Sequence, residues 1–393
     1  MFGVNIVSGR FLGPEEFGKI AFFLVIYQLF SILMLFGFDQ SVLRSLSKTE
    51  DSIKHRNIVS TSIIFILLLS LFISIVLLFF HDTLAAILLT SSKLLVWSVV
   101  FALFASLRLL FDGIIRAAGL FKFQALIKVF ESLIVIASLC LLVFLFGNKG
   151  FESYVIAIFV ATVFVLVMFG LKLIGHYGWG KFDYNSLRKI FSYSKIVFFY
   201  SLISVFLAQG DKFLVNKYLG TYQLGIYNAY YISSILFMSV VMLSIYNVLF
   251  PMVSRQKDVS LAVRKIDKIA LASFLPGLLI VSSIIFFMLK FFGNNYPIEL
   301  NLIILFATLS LLQLFASFYA AVVNAHSNKS YFYSMLSLCL RSVLYILLVV
   351  VLIQRNTFSV NSILLLLIAN SFVEIVFSKI LIKKMAGITK AVE

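Results

Sequence analysis

Three charged residues, Arg108, Asp112 and Arg116, recur at a spacing of four in and just after one strongly apolar stretch. That spacing places all three on one face of a helix. Two guanidinium groups there could bind the phosphates of an anionic ligand, because arginine matches phosphate oxygens with a two-pronged fork. In this interpretation Asp112 holds Arg108 in place. The alternative is a purely structural Arg108–Asp112 pair, with Arg116 as an ordinary loop charge.

A second polar stripe leads to Asp211, which follows serines at positions 201 and 204 at helical spacing. Ionisable groups inside a membrane are costly and usually face a bundle interior or a wet cavity. Asp211 is therefore predicted to line a cavity, where it would meet hydroxyl groups of a ligand or a coupling cation. The alternative is a local pair with Lys212 or Lys217.

Four polar residues nearer the C-terminus complete the candidate ligand-binding set: Gln313, Asn324, Arg341 and Glu374. Gln313 stands in a serine-containing stripe that leads to Asn324. Arg341 and Glu374 each lie roughly 13 Å from the same end of neighbouring antiparallel helices, at the helical rise. They are predicted to pair across the two helices, and a purely structural pair is the favoured alternative.

Lys128 and Glu131, at a spacing of three, are predicted to form another local pair. Motifs for covalent chemistry are missing from the sequence. There is no nucleotide-binding loop, no GxSxG, no HExxH and no pair of catalytic carboxylates. The two cysteines have no CxxC neighbour, which argues against a metal or redox site. The sequence thus predicts a protein that uses no cofactor or metal and is not an enzyme.

The composition of the chain indicates the environment of these polar residues. The chain of 393 residues is 62% hydrophobic and 12% charged, and its mean hydropathy is +1.09. Soluble domains carry about 25% charged residues, so this chain could not cover a water-facing surface. Eleven stretches reach the roughly 20 apolar residues that a spanning helix needs. They are 18–43, 58–80, 94–115, 125–146, 154–175, 194–215, 224–250, 269–292, 301–323, 332–353 and 360–382. The predicted fold class is an all-α polytopic membrane protein.

The short loops alternate in charge. Alternate loops and the C-terminal tail carry 21 Lys and Arg residues, and the other loops carry eight. By the positive-inside rule, the richer set, which includes 44–57, 172–195 and 255–268, is cytoplasmic, and so is the C-terminus. The predicted location is the cytoplasmic (inner) membrane. The net charge of +16 then reflects topology and affinity for anionic lipid headgroups, and not nucleic-acid binding.

Two halves of the chain repeat each other. Residues 10–18 (RFLGPEEFG) match residues 217–225 (KYLGTYQLG) at an offset of 207. The apolar residues 1–8 are too short to cross a membrane, so we interpret them as the end of a truncated first helix. The sequence therefore predicts two pseudo-symmetric six-helix bundles in parallel orientation. The predicted boundaries are 1–175 for the N-terminal bundle, 176–193 for a cytoplasmic linker and 194–393 for the C-terminal bundle.

Residues 10–18, 37–44 (GFDQSVLR) and 211–227 (DKFLVNKYLGTYQLGIY) together resemble a known family. They are similar to the Wzx-type polysaccharide flippases of the multidrug/oligosaccharidyl-lipid/polysaccharide exporter superfamily. The resemblance implies two bundles around a central cavity and alternating access. It also implies transport of undecaprenyl-diphosphate-linked oligosaccharide for surface polysaccharide such as O-antigen or capsule. Membrane lipids, and a polysaccharide polymerase and glycosyltransferases, would be its partners.

Two other functions stay open from the sequence. One is a multidrug or organic-cation exporter of the same fold, whose cavity should be acidic and aromatic. The intramembrane arginines favour an anionic substrate instead. The other is a membrane-embedded enzyme of polysaccharide assembly, which would normally show a large external loop or an acidic catalytic cluster.

Overall fold

The computed structural model describes residues 2–49, 51–254, 259–326, 330–355 and 357–390, and these residues are almost entirely helical, with no strand among them. One short π-helical turn, Leu141–Leu145, extends the end of an α-helix, and another, Ile232–Leu236, joins two α-helices. The α-helices are α1 Phe2–Leu35, α2 Phe38–Ser47, α3 Ser52–Phe79, α4 His81–Leu88, α5 Ser92–Ala117, α6 Phe121–Cys140, α7 Phe151–Tyr177, α8 Tyr184–Leu219, α9 Thr221–Tyr231, α10 Phe237–Ser254, α11 Val259–Phe292, α12 Leu300–His326, α13 Ser330–Gln354 and α14 Val360–Lys390.

Eleven helical stretches in the described part of the chain are long and apolar enough to cross a membrane. The all-α polytopic prediction is confirmed. One predicted span, 18–43, is wrong at its C-terminal end. The helix stops at Leu35, because Phe36 and Gly37 both adopt left-handed backbone angles, with φ of 49° and 72°. The chain resumes as the short helix α2, which is amphipathic and carries polar and charged residues on one side.

Gly37 is needed at this break for two reasons. Its positive φ is a conformation that glycine adopts without strain. It also lies directly against the main chain of α8, where a Cβ atom would overlap the carbonyl oxygen of Ser194 and the backbone nitrogen of Phe198. The ring of Phe36 stacks on Phe198 and Phe191, with centroids 4.5 Å and 5.3 Å apart. The start of α2 is therefore fixed tightly on α8.

Contacts divide the chain into two compact units, one of residues Val7–Gly225 and one that begins at Ile226, and a few N-terminal residues belong to each. This boundary lies within α9, beyond the end of α8, whereas the predicted linker was 176–193. The difference arises because α8 packs against α2 and α3 inside the first unit. The division into repeats at 1–175 and 194–393 stays a prediction. The core of the first unit is formed by residues such as Phe38, Ile66, Leu110 and Phe169.

The segment between α7 and α8 is tied to the first turns of α3. Three side chains of α3 accept hydrogen bonds of 2.8–3.0 Å from backbone N–H groups of this segment. The pairs are Ser60 with Gly180, Asn57 with Lys181 and Thr61 with Asp183. A Cβ atom at Gly180 would overlap the main chain of Arg56. Within the first unit this connection is therefore anchored along its length.

The repeated sequence motif has a repeated geometry. Gly13 has φ 81° and ψ 170°, and Gly220, at the predicted offset of 207, has φ 87° and ψ 169°. Gly18 lies against the main chain of Thr221 and Gly225, and Gly225 lies against the main chain of Pro14 and Gly18. The two glycines thus make reciprocal contacts, which supports the predicted internal repeat.

In the second unit, α12 packs against α10, α11 and α14, and α13 packs against α14. Tyr230 anchors the connection between α11 and α12. Its hydroxyl donates to the Pro297 carbonyl at 2.9 Å and accepts from the Glu299 backbone N–H at 2.8 Å. Its ring stacks on Phe306 at 5.5 Å. Tyr230 is fully buried, so both polar contacts satisfy a hydroxyl that has left water.

Candidate functional site

The first predicted site residue, Arg108 of α5, forms a two-pronged ion pair with Glu131 of α6. The Nη1–Oε1 and Nη2–Oε2 distances are 2.6 Å and 2.8 Å. The Glu131 side chain is only 3% exposed, so the charge that compensates it has to come from Arg108. The predicted Arg108–Asp112 pair is therefore wrong, and so is the predicted Lys128–Glu131 pair.

Helix geometry explains why Arg108 does not pair with Asp112. Side chains lean toward the N-terminus of their helix, so an arginine reaches residues that precede it. A base four residues before an acid is the less favourable order. The favourable order belongs to Arg116, whose Nε donates to the Asp112 backbone carbonyl at 3.3 Å. The antiparallel neighbour α6 brings Glu131 level with Arg108.

Asp112 is buried and accepts a 2.8 Å hydrogen bond from Gln124 Nε2 of α6. Gly113 lies against the main chain of Asp39, so α5 and the start of α2 meet closely here. Asp39 also lies within electrostatic reach of Arg116. Within the described residues, the Nη groups of Arg116 have no hydrogen-bond partner. Of the three predicted residues on this face, Arg116 retains the donors that a ligand could use.

Asp211 is buried in α8 next to the equally buried Lys212, and its carboxylate acts electrostatically on that ammonium group. Two residues earlier, Gln209 Nε2 donates to Gln28 Oε1 of α1 at 3.0 Å. This amide bridge was missed from the sequence, since one amide in each of two distant helices carries no spacing signal. Helix α8 therefore makes a polar contact with α1 through a face other than the one that carries Asp211.

In the second unit, Arg341 Nη1 lies 2.7 Å from Glu374 Oε2, so the predicted pair between α13 and α14 is confirmed. Gln313 and Asn324 are both half-buried on α12. Asn324 Oδ1 lies 3.5 Å from the hydroxyl of Ser334, at the limit of hydrogen bonding. Among the hydrogen bonds and ion pairs of the described residues, none joins Gln313 or Asn324 to the Arg341–Glu374 pair.

A polar cluster of the second unit was missed from the sequence. Asp267 of α11 accepts from Lys379 of α14 at 2.8 Å and from the hydroxyl of Tyr319 of α12. The Lys379 ammonium also lies 4.9 Å from the centre of the Tyr319 ring. The three residues are separated by more than 50 positions, so only the helix packing brings them together. The cluster joins three helices of the second unit.

Two helices that begin outside the membrane spans have carboxylate caps. Asp51 accepts from the backbone N–H of Ile53, and this hydrogen bond lowers the pKa of its carboxyl. Asp183 accepts from the Ser186 hydroxyl and from the Asn185 N–H, and the Ser186 bond contributes most to lowering the pKa of Asp183. Both acids hold the starts of α3 and α8, where unpaired N–H groups need acceptors.

A family model described as polysaccharide biosynthesis protein matches residues 1–257. The chain belongs to this family. The match covers the whole first unit and the repeated glycine motif at its C-terminal end. No curated protein matches the sequence significantly.

Several solved structures share the fold of this family member. An inward-facing multidrug resistance MATE family transporter of the MOP superfamily superposes with a TM-score of 0.76 at 14% identity, over 98% of this chain and 94% of that chain. An outward-facing structure with the same description gives 0.62 at 14%, over 97% and 92%. A MOP superfamily transporter from Pyrococcus furiosus, described as having a binding pocket of reversed polarity that suggests a different function, gives 0.64 at 14%, over 97% and 91%.

The family is described by polysaccharide biosynthesis, and the chain shares its fold with solved membrane transporters described as members of the MOP superfamily. At 14% identity the solved structures establish the fold and not the substrate. The family member is thus a multi-pass membrane protein of polysaccharide biosynthesis with a transporter fold.

Proposed function

We propose that this protein flips undecaprenyl-diphosphate-linked oligosaccharide units from the inner to the outer leaflet of the cytoplasmic membrane, for surface polysaccharide such as O-antigen or capsule. Alternating access would carry the headgroup across, and the C-terminus would lie in the cytoplasm. The observation that carries the proposal is the match of residues 1–257 to a polysaccharide biosynthesis family in a chain with a transporter fold.

The physical task fits a transporter without covalent chemistry. A sugar hydroxyl moved into an apolar medium without a partner costs roughly 2–7 kcal/mol, and a charged phosphate costs more. The prenyl tail stays in lipid and needs no help. The protein has to offer polar partners at membrane depth, and the arginine, carboxylate and amide groups within the spans of the first unit are candidates for this role.

For the site we propose Arg116 as the main phosphate contact, because its Nη groups remain available while the fork of Arg108 is taken by Glu131. Arg108 and Asp112 would then hold α6 against α5, through the contacts of Arg108 with Glu131 and of Asp112 with Gln124. Asp211 would meet sugar hydroxyls or a coupling cation. Gln313 and Asn324 would supply further hydrogen bonds, and the Arg341–Glu374 pair would fix α13 on α14.

A reconstituted flipping assay tests the proposal. Purified protein is placed in proteoliposomes with a fluorescent polyprenyl-diphosphate sugar, and transfer is read by quenching with an impermeant reductant. Arg116→Ala should weaken substrate affinity roughly ten- to a hundredfold, as expected for loss of a charged hydrogen bond of about 1.5–3 kcal/mol. Lys122→Ala is the matched control, because Lys122 is an exposed cation in the first turn of α6, close along the chain to Arg116.

The rival function is multidrug or organic-cation export, and one of the solved structures with this fold is described as a multidrug resistance MATE family transporter. The same proteoliposomes should be tested for uptake of a fluorescent organic cation driven by a proton or sodium gradient. Cation transport without lipid flipping would reject the flippase proposal. Normal flipping by Arg116→Ala would reject only the assigned phosphate contact.

A further inference from the structure

A pocket of about 430 Å³ lies between α2 and the N-terminal half of α8, apart from the residues discussed above. On α2 and its C-terminal cap residue it is lined by Ser41, Arg44, Ser45 and Lys48, at helical positions i, i+3, i+4 and i+7. On α8 the lining residues Lys189, Ser192, Tyr193 and Ile196 have the same spacing. Each helix therefore contributes one continuous face to the pocket.

The pocket is cationic. Its lining includes the side chains of Arg44, Lys48 and Lys189 and contains no carboxylate. Within the described part of the chain, none of these three cations forms an ion pair or a side-chain hydrogen bond. Asp183, the cap of α8, interacts electrostatically with Lys189 without forming an ion pair with it. Three cations that lack an ion pair among the described residues therefore line one cavity, and they are complementary to a phosphate group, whose oxygens accept charge-assisted hydrogen bonds.

The arginine of the pocket is pre-oriented. The Arg44 guanidinium lies over the Tyr193 ring, 4.2 Å from its centre, and this cation–π contact restrains the position of the guanidinium. The edges of the guanidinium then remain available for a two-pronged contact with phosphate. The Ser41 hydroxyl donates to the Gly37 carbonyl, so its oxygen is left as an acceptor. The phosphate donors in this pocket are therefore the three cations and the hydroxyls of Ser45 and Ser192.

The surroundings of the pocket favour a lipid over a soluble anion. Ile196 and Phe199, farther along α8, are 47% and 55% exposed, as expected for side chains that face lipid tails. Trp179 and Phe182, just before α8, are exposed aromatics of the kind found at membrane interfaces. The basic loops at this end predict the cytoplasmic side. We propose that this pocket, formed by α2 and α8, binds the phosphate headgroup of an anionic lipid in the cytoplasmic leaflet, with the lipid tail lying along α8.

Two lipids offer this chemistry: a bulk anionic phospholipid and a polyprenyl diphosphate carrier. The test titrates the purified full-length protein in detergent with phosphatidylglycerol, phosphatidylcholine, farnesyl diphosphate and farnesol. Bound lipid is counted by native mass spectrometry. We expect the two anionic lipids, and not phosphatidylcholine or farnesol, to bind with a preference that falls as salt rises.

Variants assign the binding to the pocket. Loss of one charge-assisted contact should weaken binding about tenfold, so Arg44→Gln/Lys189→Gln should weaken it about a hundredfold. The control Lys54→Gln/Lys181→Gln removes the same charge from exposed positions outside the pocket and should bind like wild type. Arg44→Lys should be partly defective, because lysine keeps the charge and loses the guanidinium fork. If the melting temperature of the double variant is lower than that of wild type, the test uses Lys189→Gln alone, because Lys189 is exposed.

Each outcome is decisive. Equal loss in the pocket and control variants would mean diffuse surface attraction and would overturn the proposal, as would no loss in either. Selective loss for farnesyl diphosphate alone would identify the carrier lipid as the occupant, and selective loss for both lipids would identify a general phosphate-headgroup site. The inference does not depend on the transported substrate. Pocket-dependent phosphatidylglycerol binding stands even if flipping of a lipid-linked sugar is never observed.

Discussion

The buried pair between Arg108 and Glu131 allows a quantitative test of what the intramembrane arginine does. Arg108→Met removes both prongs of the pair and leaves a carboxylate that is 3% exposed without its counter-charge. Breaking a buried pair from one side costs about 3–5 kcal/mol of folding free energy. Replacing both partners removes the uncompensated charge, so Arg108→Met/Glu131→Met should lie close to wild type.

Denaturant-induced unfolding in detergent micelles gives the free energy of unfolding of each protein. Wild type, Arg108→Met, Glu131→Met and the double variant together form a double-mutant cycle. The coupling energy should be at least about 3 kcal/mol, since each single change strands the other charge. Lys128→Met is the matched control on α6. Lys128 is exposed, so its loss should stay within about 0.5 kcal/mol of wild type.

Surface-polysaccharide display in a strain that lacks the chromosomal gene separates structure from transport. If the double variant is stable and displays polysaccharide normally, Arg108 acts only through the fold. If it is stable and display is lost, Arg108 contacts substrate and our assignment of Arg116 alone is wrong. A double variant as unstable as the sum of the single variants would refute the pairing argument itself.

Three further predictions follow from features described above. In a variant without the native cysteines, a cysteine at Ser186 should resist an impermeant thiol reagent in intact cells and one at Asn148 should react; the reverse labelling would invert the topology. Gly18→Ala should lower the free energy of unfolding by about 1–3 kcal/mol because its Cβ would meet the main chain of α9, whereas Gly175→Ala has open space and should not. Asp183→Ala should remove a helix cap worth about 0.5–2 kcal/mol. Because the folded pKa of Asp183 is lowered, wild type should hold this advantage above the ordinary carboxyl pKa and lose it as pH falls through the folded pKa. A difference between the two proteins that does not shrink in acid would count against this cap.

Helix content and span number could be predicted from the sequence, because long apolar runs have one economical structure in a membrane. The Arg341–Glu374 pair was also predictable, because both residues lie at the same distance from the same end of two neighbouring antiparallel helices. The partner of Arg108 was not, because Glu131 reaches it only through the register of the turn between α5 and α6.

The α2–α8 pocket likewise could not be predicted from the sequence. Each of its faces has a regular helical spacing, but a spacing does not say which faces meet. They meet because the chain breaks at Phe36 and Gly37 and then runs as α2 directly against α8. The span 18–43 was predicted as one helix, which would have carried Ser41 and Arg44 in a different direction. A single left-handed turn thus decides which basic residues share a cavity.

The reciprocal contact of Gly18 with Gly225 has a consequence for the ancestry of the chain. Each glycine lies on the main chain of the segment that contains the other, and the two segments have matching sequence and matching backbone angles. Such a contact is isologous, the kind that two identical subunits form around a two-fold axis. A half-length ancestor with this motif would have met its own copy through one glycine, as a homodimer. Gene fusion would then have fixed that subunit interface inside a single polypeptide, where the two glycines can now be changed separately.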